Sequence, residues 1–305
     1  MEVCMDLEVW FALFRGKTYN KVLAQGFSMQ QAKAYSDELC DNVLEYLALL
    51  KKCGYVEEAG HKSAVQKIIT QLDHAEFLPQ GSGLYGNCEN GVVQINRNLP
   101  KEKRKLYMFH ELAHISTGIH QIIEDAPNNL INGKFQHSHL YGYQALDEAM
   151  AQDIAETMLY LSLGRQRPAI ANKSEPILNT LVPTNFDFYG IYQPIAGHFA
   201  QSLRGIGSIH NMCKYAVNGN LYKHIIDEYR RDGVEFKLDS ILAKMGNIFK
   251  AKLSSFGGDL GKDYIYQNGR EITKDFKTDK TTLTSYYAEA VDSLMRLKDT
   301  REMLD

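Results

Sequence analysis

The chain has no CxxC pair, no long hydrophobic run and no large excess of charge of either sign. Its five cysteines (Cys4, Cys40, Cys53, Cys88 and Cys213) are odd in number and scattered. This excludes a thiolate zinc site of paired spacing and argues against a disulfide-stapled scaffold. No apolar run approaches the roughly 18 residues of a membrane-spanning helix. Lys and Arg total 34 against 37 Asp and Glu, so the basic footprint of a nucleic-acid binder is missing. Glu2, Asp6 and Glu8 stand where a secretory signal would be positive, and residues 9–14 are too short for its apolar segment. The expectation is a soluble, cytoplasmic protein with reduced thiols and neither a nucleic-acid nor a membrane partner. Delivery into another cell by a non-classical route stays compatible with it, and the oligomeric state is open.

What is present is helical periodicity, interrupted once. Residues 1–77 read as a helical N-terminal region, in which Ala34, Leu39, Val43, Leu47 and Leu50 recur near one face and the run ends at Gly54. Between residues 78 and 98 the pattern changes: two short runs flank Glu89-Asn90-Gly91, and Asn-Gly is a strong hairpin signal. Residues 92–96 read as a strand. A helix follows from about Pro100 to Thr117, with Gly118 as its C-terminal cap. Residues 119–143 read as an irregular connection and 144–163 as a second helix. Residues 166–305 read as a mostly helical C-terminal lobe, with helices at 194–203, within 207–249 and at 283–301, and a hairpin around Asn268-Gly269.

The first of these two helices carries His110-Glu111-Leu112-Ala113-His114, an HExxH motif. Residues four apart share a helix face, so both imidazoles can aim at one ion. Glu111 can then reach the water in the open coordination position of a catalytic zinc site. Chance alone yields about 0.02 such matches in a chain of this composition, and apolar Leu106, Phe109, Leu112 and Ile115 suit a buried helix better than a solvent-facing one.

A third ligand must come from elsewhere. Glu148 lies on the second helix among Ala149, Ala151 and Ala155, small residues that allow close packing, and Gln152 one turn on suits a hydrogen bond to a ligand. His120 is the second candidate, six residues after His114, but Thr117 stands where HExxHxxGxxH has glycine, and no clear Met-turn lies nearby. Glu124, Asp125, Asp147 and Glu156 are weaker alternatives.

The motif together with Glu148-Ala149-Met150-Ala151-Gln152-Asp153-Ile154-Ala155 resembles the zincin metallopeptidases of gluzincin type, and among them the ImmA/IrrE-like proteases with their E-x-x-A-N-x-F-A helix. Here Gln152 replaces Asn and Ile154 replaces Phe. The resemblance spans about residues 80–165. It implies a zincin-like catalytic core over 78–165, with a small β-sheet and flanking helical regions, in an α+β and mostly helical fold. It further implies Zn2+ held by His110, His114 and Glu148, and hydrolysis of a peptide bond with Glu111 as general base on the zinc-bound water. In this family the strand before the active helix is an exposed edge that pairs with substrate, which would place residues 92–96 at a sheet edge.

An oxyanion donor is needed from later in the chain; Tyr192 and His198 are the candidates, with His210 and Tyr143 behind them. The expected activity is zinc-dependent endopeptidase action on a protein or peptide. The alternative is a non-catalytic or regulatory zinc-binding module that keeps the zincin fold. An aminopeptidase ranks low, because no GxMxN-like segment precedes His110. The basic run of residues 101–105 reads as a solvated face.

Overall fold

The computed structural model describes residues 6–82, 84–118, 137–167, 192–221, 223–225, 227, 262–267 and 270–275. These are mostly helical with a small sheet, an α+β arrangement. The chain forms two compact units: one of Met1–Gly118, Ala151–Arg167 and Ala216–Asn218, the other of Ile119–Met150, Pro168–Tyr215 and Gly219–Asp305. No helix among the described residues is long and apolar enough to cross a membrane.

In the first unit, helix α1 (Leu7–Ala24) starts where the Asp6 carboxylate accepts from the Glu8 amide at 2.8 Å. Its buried stripe is Trp10, Phe14, Thr18 and Val22, a strict four-residue repeat. Helix α2 (Met29–Lys52) opens with a full capping box between Ser28 and Gln31. It buries Leu39, Cys40, Val43, Tyr46, Leu47 and Leu50, whereas Ala34 faces outward and Ala32 packs inward instead. Helix α3 (Glu58–Gln71) contributes Ile68 and Ile69. Burying each of these large apolar side chains contributes about 1.5–3 kcal/mol.

Strand β1 (His74–Phe77) lies inside the stretch that periodicity assigns to helices. It pairs in parallel with β3 (Val92–Ile95), which pairs on its other side, antiparallel, with β2 (Gly86–Glu89). The strand order is therefore β1-β3-β2. The expected hairpin is present: Asn90 and Gly91 both have positive φ, 51° and 77°, the signature of a type I′ turn. A side chain at position 91 would run into the Gln71 carbonyl, and the Gly91 carbonyl accepts from the Asp73 amide at 2.8 Å.

The expected edge position of residues 92–96 is overturned. β3 is the central strand, with Val93 and Ile95 fully buried, because β1 pairs with it on one side and β2 on the other. One face of the sheet carries Ala75, Phe77, Val93 and Ile95 into the core. The opposite face carries a polar ladder in which Asn87 Nδ2 donates to Gln94 Oε1 and Gln94 Nε2 to Glu76 Oε1. Side chains of α1 and its cap finish β1: Thr18 Oγ1 accepts from the Ala75 amide, and Gln25 exchanges hydrogen bonds with the Phe77 backbone.

Helix α4 (Lys101–Thr117) begins just after Pro100 and ends at Gly118, whose φ of 66° supplies the left-handed cap. It packs on α2, α3, β2 and β3, and every residue from Met108 to Thr117 is buried. The Tyr46 and Phe109 rings lie 5.7 Å apart, and the Tyr46 hydroxyl meets Ser116 Oγ at 2.6 Å. The basic run at the helix start is only partly solvated. Lys101 and Lys103 are exposed, but Arg104 and Lys105 turn onto Glu38 and Glu45 of α2.

The long helix α5 (His137–Ser162) starts seven residues before its expected beginning. Helices α6 (Tyr192–Ser202) and α7 (Ile209–Val217) occupy two of the stretches read as helical. Ser208 caps α7 through the Asn211 amide, and Cys213 Sγ contacts the Met150 carbonyl. Strands β4 (Lys262–Gln267) and β5 (Arg270–Asp275) pair antiparallel on either side of Asn268-Gly269. The expected helix at 283–301 lies outside the described residues.

Candidate metal centre

His110 and His114 sit one turn apart in the buried half of α4, 1% and 6% exposed. Their rings stand nearly perpendicular, at 84°, and their Nε2 atoms are 3.1 Å apart. Two ligands bonded to one tetrahedral ion at about 2.1 Å are separated by about 3.4 Å. The two imidazoles are thus held close to the spacing that a shared ion requires.

Glu148, on α5, adds a carboxylate. One ligand atom from each of His110, His114 and Glu148 falls within 4.8 Å of the others, and this is the one such metal-holding group among the described residues. The donor set fits a metal ion: two imidazole nitrogens and one hard oxygen would leave a coordination position open. His120, Glu124 and Asp125 lie outside the described residues. Asp147 is buried but not in the group, and Glu156 is engaged by Arg167 and Gln152 instead.

Glu111 is 7% exposed and is not one of the three grouped residues. Its carboxylate lies against Gly86 of β2: a β-carbon there would come within 2.5 Å of Glu111 Oε1. The bare glycine leaves the room that the carboxylate occupies. The sequence offers no signal for this pairing beyond a glycine at the start of a short strand.

Around His110 the polar contacts continue. Its Nδ1 is 3.1 Å from Gln152 Oε1, as the position of Gln152 one turn after Glu148 leads one to expect. Gln152 Nε2 donates to Glu156 Oε1 at 2.7 Å. Arg167 donates Nη2 to Glu156 Oε2 at 2.7 Å and Nη1 to Asp153 Oδ1 at 2.6 Å and Thr157 Oγ1 at 2.9 Å. Motif reading misses Arg167, which follows the helix end in a loop-like stretch. The signal that could have found it is the pair Asp153 and Glu156, two acids inside an alanine-rich helix with no cation within four residues, which burial obliges to find one.

The oxyanion candidates belong to the second unit. Tyr192 opens α6, and its side chain lies outside the described residues, as does that of Tyr143 on α5. His198, also on α6, is half-buried; its Nδ1 is shielded from solvent without a hydrogen-bond partner among the described residues, and burial holds its pKa below the ordinary imidazole value. His210 lies on α7 at intermediate exposure. Comparison of the chain with protein-family models, with curated proteins and with solved structures gives no match in any of the three.

Proposed function

We propose that the chain is a zinc-dependent endopeptidase of gluzincin type, similar to the ImmA/IrrE-like metallopeptidases. The observation that carries this reading is the division of labour on α4. His110 and His114 converge with Glu148, while the buried carboxylate between them in sequence, Glu111, stays outside that group and beside Gly86. A purely structural site has no use for that fourth group.

In this reading His110, His114 and Glu148 hold the zinc. When bound, zinc supplies Lewis-acid polarisation of a carbonyl and lowers the pKa of water toward about 7. Glu111 takes the proton of the attacking water on its carboxylate and returns it to the leaving amine. The low-dielectric surroundings of α4 strengthen each of these charge interactions. We assign oxyanion stabilisation to His198 or Tyr192 on the chemistry of their side chains. The substrate is a protein or peptide.

The test is zinc quantification on purified protein beside cleavage of a peptide library by wild type and Glu111→Gln. One equivalent of zinc in both, with cleavage confined to wild type, supports the endopeptidase. Zinc without metal-dependent cleavage in either leaves the regulatory zinc-binding module. Absence of stoichiometric zinc from wild type sinks both.

A further inference from the structure

We infer that Arg167 is a positioning residue for the metal site: acting through Glu156 and Gln152, it keeps the proton of His110 on Nδ1 and so puts the lone pair that would bind an ion on Nε2. This deepens the metal reading proposed above and rests on it for its purpose, though not for its geometry.

The chain delivers Arg167 by a reversal at the end of α5. Gly164, with φ of 63°, turns the backbone, and the Arg165 amide bonds back to the Tyr160 carbonyl at 2.8 Å. Residues after the turn therefore run back along the helix, and the guanidinium reaches Asp153, Glu156 and Thr157. Burial opposes its charge, but the two carboxylates outweigh that and raise its pKa further.

From there each hydrogen bond dictates the next. A guanidinium has donors only, so both of its carboxylate partners accept. Glu156, ion-paired with Arg167 through Oε2, is an acceptor at Oε1 as well. The Gln152 group facing Oε1 at 2.7 Å must then be its NH2, which turns the amide oxygen toward His110. An amide oxygen only accepts, so Nδ1 of His110 carries the hydrogen. The lone pair falls on Nε2, the atom that faces His114 Nε2 at 3.1 Å. A permanently protonated group thus biases the tautomer of a proposed ligand three hydrogen bonds away. Asp153, 1% exposed and already paired with Arg167, would suffice to neutralise the guanidinium. The further bonds through Glu156 lead to the ligand.

The decisive substitution is isosteric. In Glu156→Gln, Arg167 still claims an oxygen, which turns the new NH2 toward Gln152. Gln152 must then present its oxygen to that NH2 and its own NH2 to His110, so the His110 proton moves to Nε2. The exchange Gln152→Glu with Glu156→Gln restores an acceptor beside His110 at unchanged total charge. The readouts are the 15N shifts of the His110 ring in metal-free full-length protein near pH 8.5, where imidazoles are neutral, and zinc affinity by chelator competition. Wild type is expected to carry the proton on Nδ1, Glu156→Gln on Nε2 with roughly ten- to hundredfold weaker zinc binding, and the exchanged double variant on Nδ1 with affinity regained. A wild-type proton on Nε2, an unchanged tautomer and affinity in Glu156→Gln, or no recovery in the double variant would each overturn the inference. Should Glu156→Gln fail to fold, the wild-type tautomer and the double variant decide. If wild type takes up no zinc, the metal reading fails, while the ring shifts still judge the relay.

Discussion

The carboxylate of Glu111 occupies the space that a side chain at Gly86 would fill, with Oε1 within 2.5 Å of where a β-carbon would stand. Backbone of β2 cannot retreat easily, because its register is fixed by β3 and the turn. Gly86→Ala is therefore expected to push the carboxylate aside. A misplacement of about 1 Å costs on the order of a hundredfold in rate, while zinc content should stay at the wild-type level because Glu111 stands outside the proposed ligand group. Turnover and zinc measured on one preparation check this; loss of zinc would instead make Gly86 a fold residue.

The proposed zinc ligands have their own signature. His110→Ala, His114→Ala and Glu148→Ala are each expected to lose bound zinc, and His120→Ala to keep it. Metal analysis after dialysis reads the difference, and retention in Glu148→Ala with loss in His120→Ala would transfer the third position to His120.

Arg104 holds both carboxylate oxygens of Glu38 at 2.8 Å and also donates to the Leu99 carbonyl, joining α4 to α2 with both side chains mostly buried. Removing one partner strands the other charge. Arg104→Met should destabilise the protein by about 3 kcal/mol, read as a lower urea midpoint. The double variant Arg104→Met with Glu38→Leu should recover most of the loss, since well-packed apolar replacements of such pairs are often neutral. Equal midpoints for wild type and Arg104→Met would show that the pair is solvent-screened.

His198 gives a pH dependence whose sign follows from burial. Its pKa is lowered in the folded chain, so above about pH 6.5, the ordinary imidazole value, it is neutral in both states and its contribution is complete. As the pH falls below about 6.5 the unfolded chain takes the proton first, and stability declines toward the lowered folded pKa. His198→Gln should flatten that part of the profile. Urea midpoints from pH 8 to pH 5 for both proteins test it, and parallel slopes would contradict it.

Cys40 is fully buried and its thiol is pushed up to about 12 by that burial, with charges nearby. It should resist alkylation in the folded protein and react on unfolding in urea. Mass mapping of labelled peptides provides the check.

The parts of this structure legible in sequence are those whose signals are local. The four-residue spacing of His110 and His114 put them on one face, Gly118 marked the helix end, and Asn90-Gly91 marked the hairpin. Glu148 was legible because small residues follow it on the next helix, although Asp147 stands beside it. Strand β1 was not, since His74-Ala75-Glu76-Phe77 is short and its outer edge is satisfied by Thr18 and Gln25, more than fifty residues away. The early start of α5 was hidden by His, Ser, Gly and Tyr at 137–143, poor helix formers individually. The central position of β3 depended on a parallel partner that periodicity had assigned to helix. Arg167 escaped because its partners are set by the reversal at Gly164, a tertiary event.

The first unit is assembled from three separate stretches of chain, and Asn218 Nδ2 donating to the Tyr55 carbonyl at 3.0 Å ties its last stretch to its first. During synthesis, α1, α2 and α3 emerge long before Gln152, Arg167 and Asn218. At about 5–20 residues per second, they wait on the order of ten seconds for the residues that close the unit. In the relay inferred above, His110 therefore gains its orientation only after Arg167 has emerged, well after His110 itself. If the relay sets the tautomer of His110 as inferred, an arriving ion would meet a correctly oriented His110 only once Arg167 has followed it out of the ribosome.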